Sequence, residues 1–178
     1  MTVLAELADA DRIGAIGVSN FSLTQLTAAQ AALGTRPIAV NQVRYNLIDR
    51  EEGDELRAYC ARTGVILEAY TPLAHGLLTG RFLEPDSMPH ANRRGSRRLD
   101  ADHAESTFAQ VRELATIAQE AEVPLAAVAL RWLRRQGALP LFGASGPEQI
   151  DANLEAWATA VPDDVLDRAD AITRSGHA

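Results

Sequence analysis

Four short apolar runs, each followed by an amphipathic segment, constrain the fold of this chain more than any other feature. The runs cover residues 13–18, 38–40, 65–70 and 138–142. Their near-continuous apolar character is typical of parallel strands that are covered on both faces. Helical periodicity marks about seven segments, namely residues 2–10, 23–33, 53–62, 106–118, 124–136, 146–157 and 163–172. Strands that alternate with helices indicate right-handed parallel crossovers, so the sequence predicts an α/β fold.

Two closures of the predicted sheet are open, a doubly wound sheet and part of a (β/α)8 barrel. No Gly-x-Gly-x-x-Gly follows any apolar run, and the chain contains no lysine, so neither a Rossmann fingerprint nor a P-loop is present. In both closures ligands bind where the strands end, which draws attention to Ser19 and Asn20 after the first run. A helix should begin directly after them, because Ser22 and Gln25 have the spacing of a capping box. Ser145 and Glu148 have the same spacing, which predicts a second capping box.

Length and composition limit the classes of function. The chain has 178 residues, a net charge of −7 and a pI of about 5.1. It is expected to form one domain over residues 1–178, with a long irregular stretch at 81–104. The acidic balance argues against a nucleic-acid or anionic membrane surface, and no apolar run approaches the roughly 20 residues that span a bilayer. The lone cysteine, Cys60, suits a reducing cytosol, so a cytoplasmic location is expected. The spacing of the histidines predicts no metal cluster.

Four segments, taken with their order and spacing, together resemble the aldo-keto reductase family. They are Ile16-Gly17-Val18-Ser19-Asn20-Phe21, Val40-Asn41-Gln42-Val43, Ala69-Tyr70-Thr71-Pro72-Leu73-Ala74 with Gly76-Leu77-Leu78-Thr79-Gly80, and Gly143-Ala144-Ser145-Gly146-Pro147-Glu148-Gln149 with Asn153-Leu154. The resemblance implies a (β/α)8 barrel that reduces aldehydes and ketones with NADPH and without a metal. Aligned by these motifs, the chain corresponds to barrel strands five to eight with their helices, a partial TIM barrel.

The resemblance implies a nicotinamide site at the ends of the first three strands. Asn20 and Gln42 resemble the pair that hydrogen-bonds the carboxamide, with Ser19 in support, and a carboxamide needs both a donor and an acceptor. Tyr70 resembles the aromatic residue on which the nicotinamide ring stacks. The structural alternatives are amides that tie down strand ends and, for Tyr70, a core aromatic. Strand alternation allows Glu68 to point into the barrel.

The rest of the cofactor is implied to lie along two further segments. Thr71 and Leu73 resemble the pyrophosphate-side loop. Ser145, Gln149 and Asn153 resemble the adenosine end, at a helix N-terminus whose free N–H groups favour phosphate. The family usually places a basic residue there for the adenosine 2′-phosphate, but residues 143–149 contain none. NADP is therefore expected, with NAD not excluded.

The resemblance assigns no catalytic residue to this chain. The family's acid–base Asp, Tyr, Lys and His precede the segment that matches residues 2–10. Two hypotheses follow. In the first, Met1 is an internal methionine or the start of a split gene, and an N-terminal half completes a reductase of small carbonyl compounds. In the second, the chain is a non-catalytic half-barrel that binds dinucleotide or self-associates through exposed sheet edges.

Overall fold

A computed structural model describes residues 1–50, 53–87 and 103–174. The strands are β1 (Ile16–Ser19), β2 (Ile38–Arg44), β3 (Ile66–Tyr70) and β4 (Ala138–Leu141). The α-helices are α1 (Thr2–Asp9), α2 (Leu23–Leu33), α3 (Gly53–Thr63), α4 (Ala104–Glu120), α5 (Leu125–Arg135), α6 (Pro147–Ala158) and α7 (Asp163–Arg174). Two 3₁₀ helices span Ala74–Thr79 and Pro85–Ser87. The arginine-rich part of the predicted irregular stretch, with Arg93, Arg94, Arg97 and Arg98, lies outside the described residues.

The four strands form one parallel sheet in the order β1-β2-β3-β4. The predicted α/β class and the four strands are confirmed. Strand β2 is longer than predicted, because its polar second half, from Asn41 to Arg44, continues the ladder with β3. A polar sequence inside a strand hides the strand from an analysis that relies on apolar runs.

Helices cover only one face of the sheet in the part of the chain that the structure describes. On that face Val43, Leu67 and Ala69 are almost completely buried. On the opposite face Ile66 and Leu139 keep 51% and 50% of their surface exposed. The expectation that both faces are covered is therefore wrong within the described residues. We call the uncovered side the open face; its residues are Gly17, Ser19, Val40, Gln42, Arg44, Ile66, Glu68, Tyr70, Leu139 and Leu141.

The core lies between the sheet and the helices α4, α5 and α7. Its largest fully buried side chains are Trp132 and Phe108. The Trp132 ring packs against Tyr45 with 5.4 Å between the ring centroids. Trp157 is only half-buried beneath the guanidinium of Arg134. The apolar faces of these helices thus bury one face of the sheet.

One of the two predicted capping boxes forms. Ser22 Oγ accepts a hydrogen bond from the backbone N–H of Gln25, whose side chain accepts one from Ser22 N–H. At α6 the prediction is wrong, because the N-cap is Gly146 and Pro147 takes the first helical position. Proline is favoured there, since its missing N–H has no partner in the first turn. Ser145 therefore stays in the loop before the helix.

Candidate functional site

Strand register places three polar side chains in one row on the open face. Ser19 lies opposite Gln42, and Gln42 lies opposite Glu68. In the next row, toward the carboxyl ends, Arg44 lies opposite Tyr70. Cross-strand neighbours on one face are about 5 Å apart, so pairing alone brings together residues that lie more than 20 positions apart in sequence.

Hydrogen bonds join four of the predicted site residues. The Tyr70 hydroxyl donates to Asn20 Oδ1 at 3.0 Å, and Asn20 Nδ2 donates to Ser19 Oγ at 3.2 Å. The Asn20 backbone N–H donates to the Gln42 carbonyl at 2.8 Å. The Gln42 side-chain amide in turn donates to the carboxylate of Glu68. The site thus presents two primary amides beside one aromatic ring, at the edge where parallel strands end.

Two buried asparagines, which the sequence analysis did not single out as site residues, hold the loops that carry this network. Asn41 Nδ2 donates to the Phe21 carbonyl at 2.8 Å, which anchors the segment after Asn20. Asn46 Nδ2 donates to the Thr71 carbonyl at 3.1 Å. Both asparagines are at most 1% exposed. The sequence feature that could have identified them is a polar residue inside or just after an apolar strand. A buried amide at such a position must form hydrogen bonds with the backbone.

The loop after β3 has an unusual backbone and an unpaired hydroxyl. Thr71 has a φ of 54°, a left-handed conformation that β-branched residues rarely adopt. Its Oγ1 is buried and has no hydrogen-bond partner among the described residues. Further along the loop, the Leu73 carbonyl accepts hydrogen bonds from the N–H groups of Gly76 and Leu78. A buried hydroxyl without a partner fits a ligand that brings an acceptor oxygen, such as a phosphate.

The predicted adenosine-end residues lie on the neighbouring loop and helix. Leu141 at the end of β4 pairs with Tyr70, so the loop after β4 leaves the sheet beside the loop after β3. In it, the Ser145 backbone N–H donates to Gln149 Oε1 at 2.9 Å. Asn153 follows one turn later on α6, where it is buried. Their role toward a nucleotide stays a prediction.

A cationic side chain that the sequence analysis passed over flanks the ring of Tyr70. The Arg44 guanidinium carbon lies 5.8 Å from the ring centroid, and its Nη1 lies 3.9 Å from a carboxylate oxygen of Asp49. The pKa of His75 is lowered, first by burial and then by the charge of Arg44. Arg44 is two positions beyond Gln42 in the same strand, and period-2 alternation was the signal that could have found it.

The described residues hold neither a metal-ligand cluster nor a membrane-spanning helix. No three His, Cys, Asp or Glu side chains among them converge as metal ligands do. None of the described helices combines the length and apolar character that a bilayer crossing requires. Cys60 is buried, and burial raises the pKa of its thiol, which makes it a poor nucleophile.

Comparisons with known proteins agree on one family. The model of the aldo/keto reductase family matches residues 1–174. An uncharacterized oxidoreductase of Mycobacterium tuberculosis is 34% identical over 157 residues, which are 88% of this chain and 48% of that protein. The NADH-specific methylglyoxal reductase of Escherichia coli is 27% identical over 158 residues, 88% of this chain and 47% of its own length. The chain therefore spans about half the length of these relatives.

Solved structures give the same result. The glycerol dehydrogenase of Gluconobacter oxydans superposes with a TM-score of 0.80 at 26% identity, covering 97% of this chain and 52% of that one. A thermostable aldo-keto reductase solved with the inhibitor epalrestat superposes with a TM-score of 0.71 at 26% identity, covering 96% of this chain and 53% of that one.

Proposed function

Because this chain belongs to the aldo/keto reductase family of oxidoreductases, we propose that it carries the nicotinamide-binding part of an enzyme that reduces small aldehydes or ketones with NAD(P)H. The single observation that carries the proposal is the hydrogen-bonded set of Ser19, Asn20, Gln42 and Tyr70 at the carboxyl ends of three parallel strands. Two adjacent primary amides supply the donors and acceptors that a carboxamide requires. An aromatic ring beside them supplies a flat surface for the pyridine ring.

Each predicted site residue has a place in this proposal. Asn20 and Gln42 would hold the carboxamide with Ser19 in support, and Tyr70 would stack on the ring and fix which face is offered. The unpaired Thr71 hydroxyl would donate to a phosphate oxygen, with the Leu73 segment forming the wall of that loop. The adenosine end would lie along the loop after β4 and α6, at Ser145, Gln149 and Asn153. When bound, the cofactor supplies the hydride that reduces the carbonyl carbon.

NADP is the proposed cofactor, because the family resemblance implies it, and NAD is the alternative. No basic side chain occurs in residues 143–149, where the family usually binds the 2′-phosphate, and one relative is named as NADH-specific. A phosphate that lacks a cationic partner loses the strong charge-assisted hydrogen bonds. The ratio of affinities for NADPH and NADH therefore decides between them.

We further propose that the chain corresponds to barrel strands five to eight and that the acid–base residues of the reaction belong to the other half of the barrel. The coverage of about half of each relative and of each solved barrel supports this placement. No catalytic residue is assigned within residues 1–178. The reduction of a small carbonyl substrate would then require both halves.

The test is nucleotide binding by the purified chain, followed through the fluorescence of NADPH and NADH. Replacing Tyr70 with Ala should weaken binding about fivefold, because stacking on an aromatic ring contributes about 1 kcal/mol. Replacing Tyr70 with Phe keeps the ring and removes only the hydroxyl that bonds Asn20, so a smaller loss is expected. Tyr59→Ala on α3 is the matched control. Equal affinities for the wild-type protein and Tyr70→Ala would contradict the proposal.

A second candidate function is self-association without catalysis, and the apolar part of the open face favours it. Ile66, Leu139 and Leu141 expose 51%, 50% and 47% of their surface, side by side on neighbouring strands. Contiguous exposed apolar side chains commonly mark an interface. If a second copy covers this face, light scattering should give a dimer mass and Leu139→Asp should give a monomer. Leu83→Asp, at an exposed leucine away from the sheet, is the control; a monomeric wild-type protein would exclude this candidate.

A further inference from the structure

Glu68 lies on the open face directly opposite Gln42 in the β2–β3 ladder. Its carboxylate accepts a hydrogen bond from Gln42 Nε2. Both residues are half-buried and belong to regular strands, so backbone pairing holds the two side chains together. From the sequence, strand alternation allows Glu68 to point into the barrel, and no role is assigned to it.

The chemistry of this pair fixes the orientation of one amide. An ionised carboxylate can only accept hydrogen bonds, whereas a primary amide has a donating end and an accepting end. The NH₂ of Gln42 must therefore face Glu68, and its Oε1 must point to the other side.

Asn20, the second amide of the site, is different in this respect. Its two partners are the hydroxyls of Tyr70 and Ser19, and a hydroxyl can donate or accept. Neither hydroxyl forces one orientation on the Asn20 amide. Of the two amides, only that of Gln42 has its direction imposed by a charge.

We infer that Glu68 is a positioning residue that turns Gln42 so that Oε1 accepts a hydrogen bond from the carboxamide NH₂ of the cofactor. The inference rests on the proposed function. The inference also predicts which ligands the site prefers. A ligand with an amide NH₂ at this position would be favoured over one with a methyl group, which cannot donate, and over one with a carboxylate, whose charge would meet an acceptor oxygen.

The decisive variant is Glu68→Gln, which keeps the shape of the side chain and adds a donor. Gln42 can then adopt either orientation, so the fixed acceptor is lost. Glu113→Gln, at an exposed position on α4, is the matched control. Three ligands are titrated against each protein, namely NADP, its 3-acetylpyridine analogue, which lacks the NH₂, and the 2′-phosphate of ADP-ribose, which lacks the whole ring.

For Glu68→Gln we expect NADP affinity to fall about five- to tenfold, the loss of one well-placed hydrogen bond. Affinity for the acetylpyridine analogue should change less, and affinity for the ADP-ribose ligand should not change. The wild-type protein itself should prefer NADP over the acetylpyridine analogue. An equal loss for all three ligands would indicate a merely structural role and overturn the inference, as would an unchanged affinity for NADP.

A measurement on the free protein separates this inference from the proposed function. In a ¹⁵N correlation spectrum the side-chain NH₂ resonances of Gln42 should move in Glu68→Gln and stay in place in Glu113→Gln. If they do not move while NADP still binds, the positioning inference is wrong and the proposed function stands. If the wild-type chain binds none of the three ligands, the proposed function fails and the role of Glu68 toward a cofactor fails with it.

Discussion

The carboxylate of Asp170 on α7 is the centre of a polar cluster that locks this helix to the loop after β2. Asp170 Oδ1 accepts from Arg50 Nη1 and from Trp132 Nε1, both at 2.9 Å, and Oδ2 accepts from Arg174 Nε at 2.7 Å. The Arg50 guanidinium also lies 4.3 Å from the centroid of the Trp132 ring. We predict that Asp170→Asn lowers the free energy of unfolding, because it keeps the shape and removes the charge that these donors share.

The expected size follows from burial. The side chains of Arg50 and Asp170 are only 12% and 18% exposed, so water screens their charges poorly. Removing one partner of a buried ion pair costs about 3–5 kcal/mol. Because the asparagine side chain of the variant would keep one acceptor oxygen, we expect a smaller loss of about 2–3 kcal/mol. Asp167→Asn on the same helix is the matched control, since Asp167 is 74% exposed in its pair with Arg135 and such pairs contribute about 0–1 kcal/mol.

The assay is urea unfolding at pH 7, followed by tryptophan fluorescence and circular dichroism. With a slope of roughly 2 kcal/mol per molar urea, the midpoint of Asp170→Asn should fall by about 1 M, and that of Asp167→Asn by at most a few tenths. Equal midpoints for the two variants would refute the reasoning, because the structure distinguishes these aspartates only by burial and by the number of donors.

Acid pH gives an independent check on the same residue. Burial would raise the pKa of Asp170, but hydrogen bonds from Trp132 and Arg174 and the charges of Arg50 and Arg174 outweigh it, so that the pKa lies below its usual value. The stabilisation is thus fully present above the unfolded-state pKa of about 3.9 and is lost as the pH falls through the lower folded-state pKa. The difference in stability between the wild-type protein and Asp170→Asn should shrink below about pH 4. A difference that stays constant down to about pH 2 would contradict the assignment.

Three further predictions concern other parts of the chain. Gly17→Ala should destabilise the protein by about 1–3 kcal/mol in urea unfolding, because its new Cβ would lie 2.5 Å from a methyl carbon of β2, whereas Gly14→Ala meets nothing within 4 Å and should be near neutral. Ser22→Ala should cost about 1 kcal/mol and Ser145→Ala much less, since only the first serine caps its helix; equal losses would contradict the cap assignment. The pKa of His75 is lowered, mainly by burial, so wild-type stability should fall as the pH drops below about 6.5, and His75→Gln should remove this component of the pH dependence.

Local sequence patterns predicted the elements and the family. The apolar runs gave four parallel strands because burial between layers demands apolar side chains wherever a strand is covered. Residues 23–33 were predicted as a helix and form one with the same bounds. The motifs around Ser19, Gln42 and Tyr70 predicted the family that the comparisons confirm. The helix and strand signals are each contained in a short window, whereas the family signal also depends on the order and spacing of the four motifs along the chain.

Where the local patterns failed, a competing interaction explains the failure. Ser145 has the spacing of a capping box, yet Pro147 moves the helix start one residue further along. The second half of β2 is polar, so no apolar run marked it, and its pairing with β1 and β3 makes it a strand. The first outcome depends on whether Ser145 or Pro147 determines the start of the helix, and the second depends on the strands that pair with β2. A single local pattern takes neither into account.

The sequence by itself determined which residue types stand at the ends of the strands, since periodicity and motif spacing are properties of neighbouring residues. Only the tertiary structure decided which of these residues meet. Register between β2 and β3 sets Glu68 opposite Gln42 and Arg44 opposite Tyr70, and the first of these contacts fixes the direction of an amide. The open face is likewise a result of where the helices pack. Contacts between residues far apart in the chain are fixed by strand pairing and burial, which no local pattern encodes.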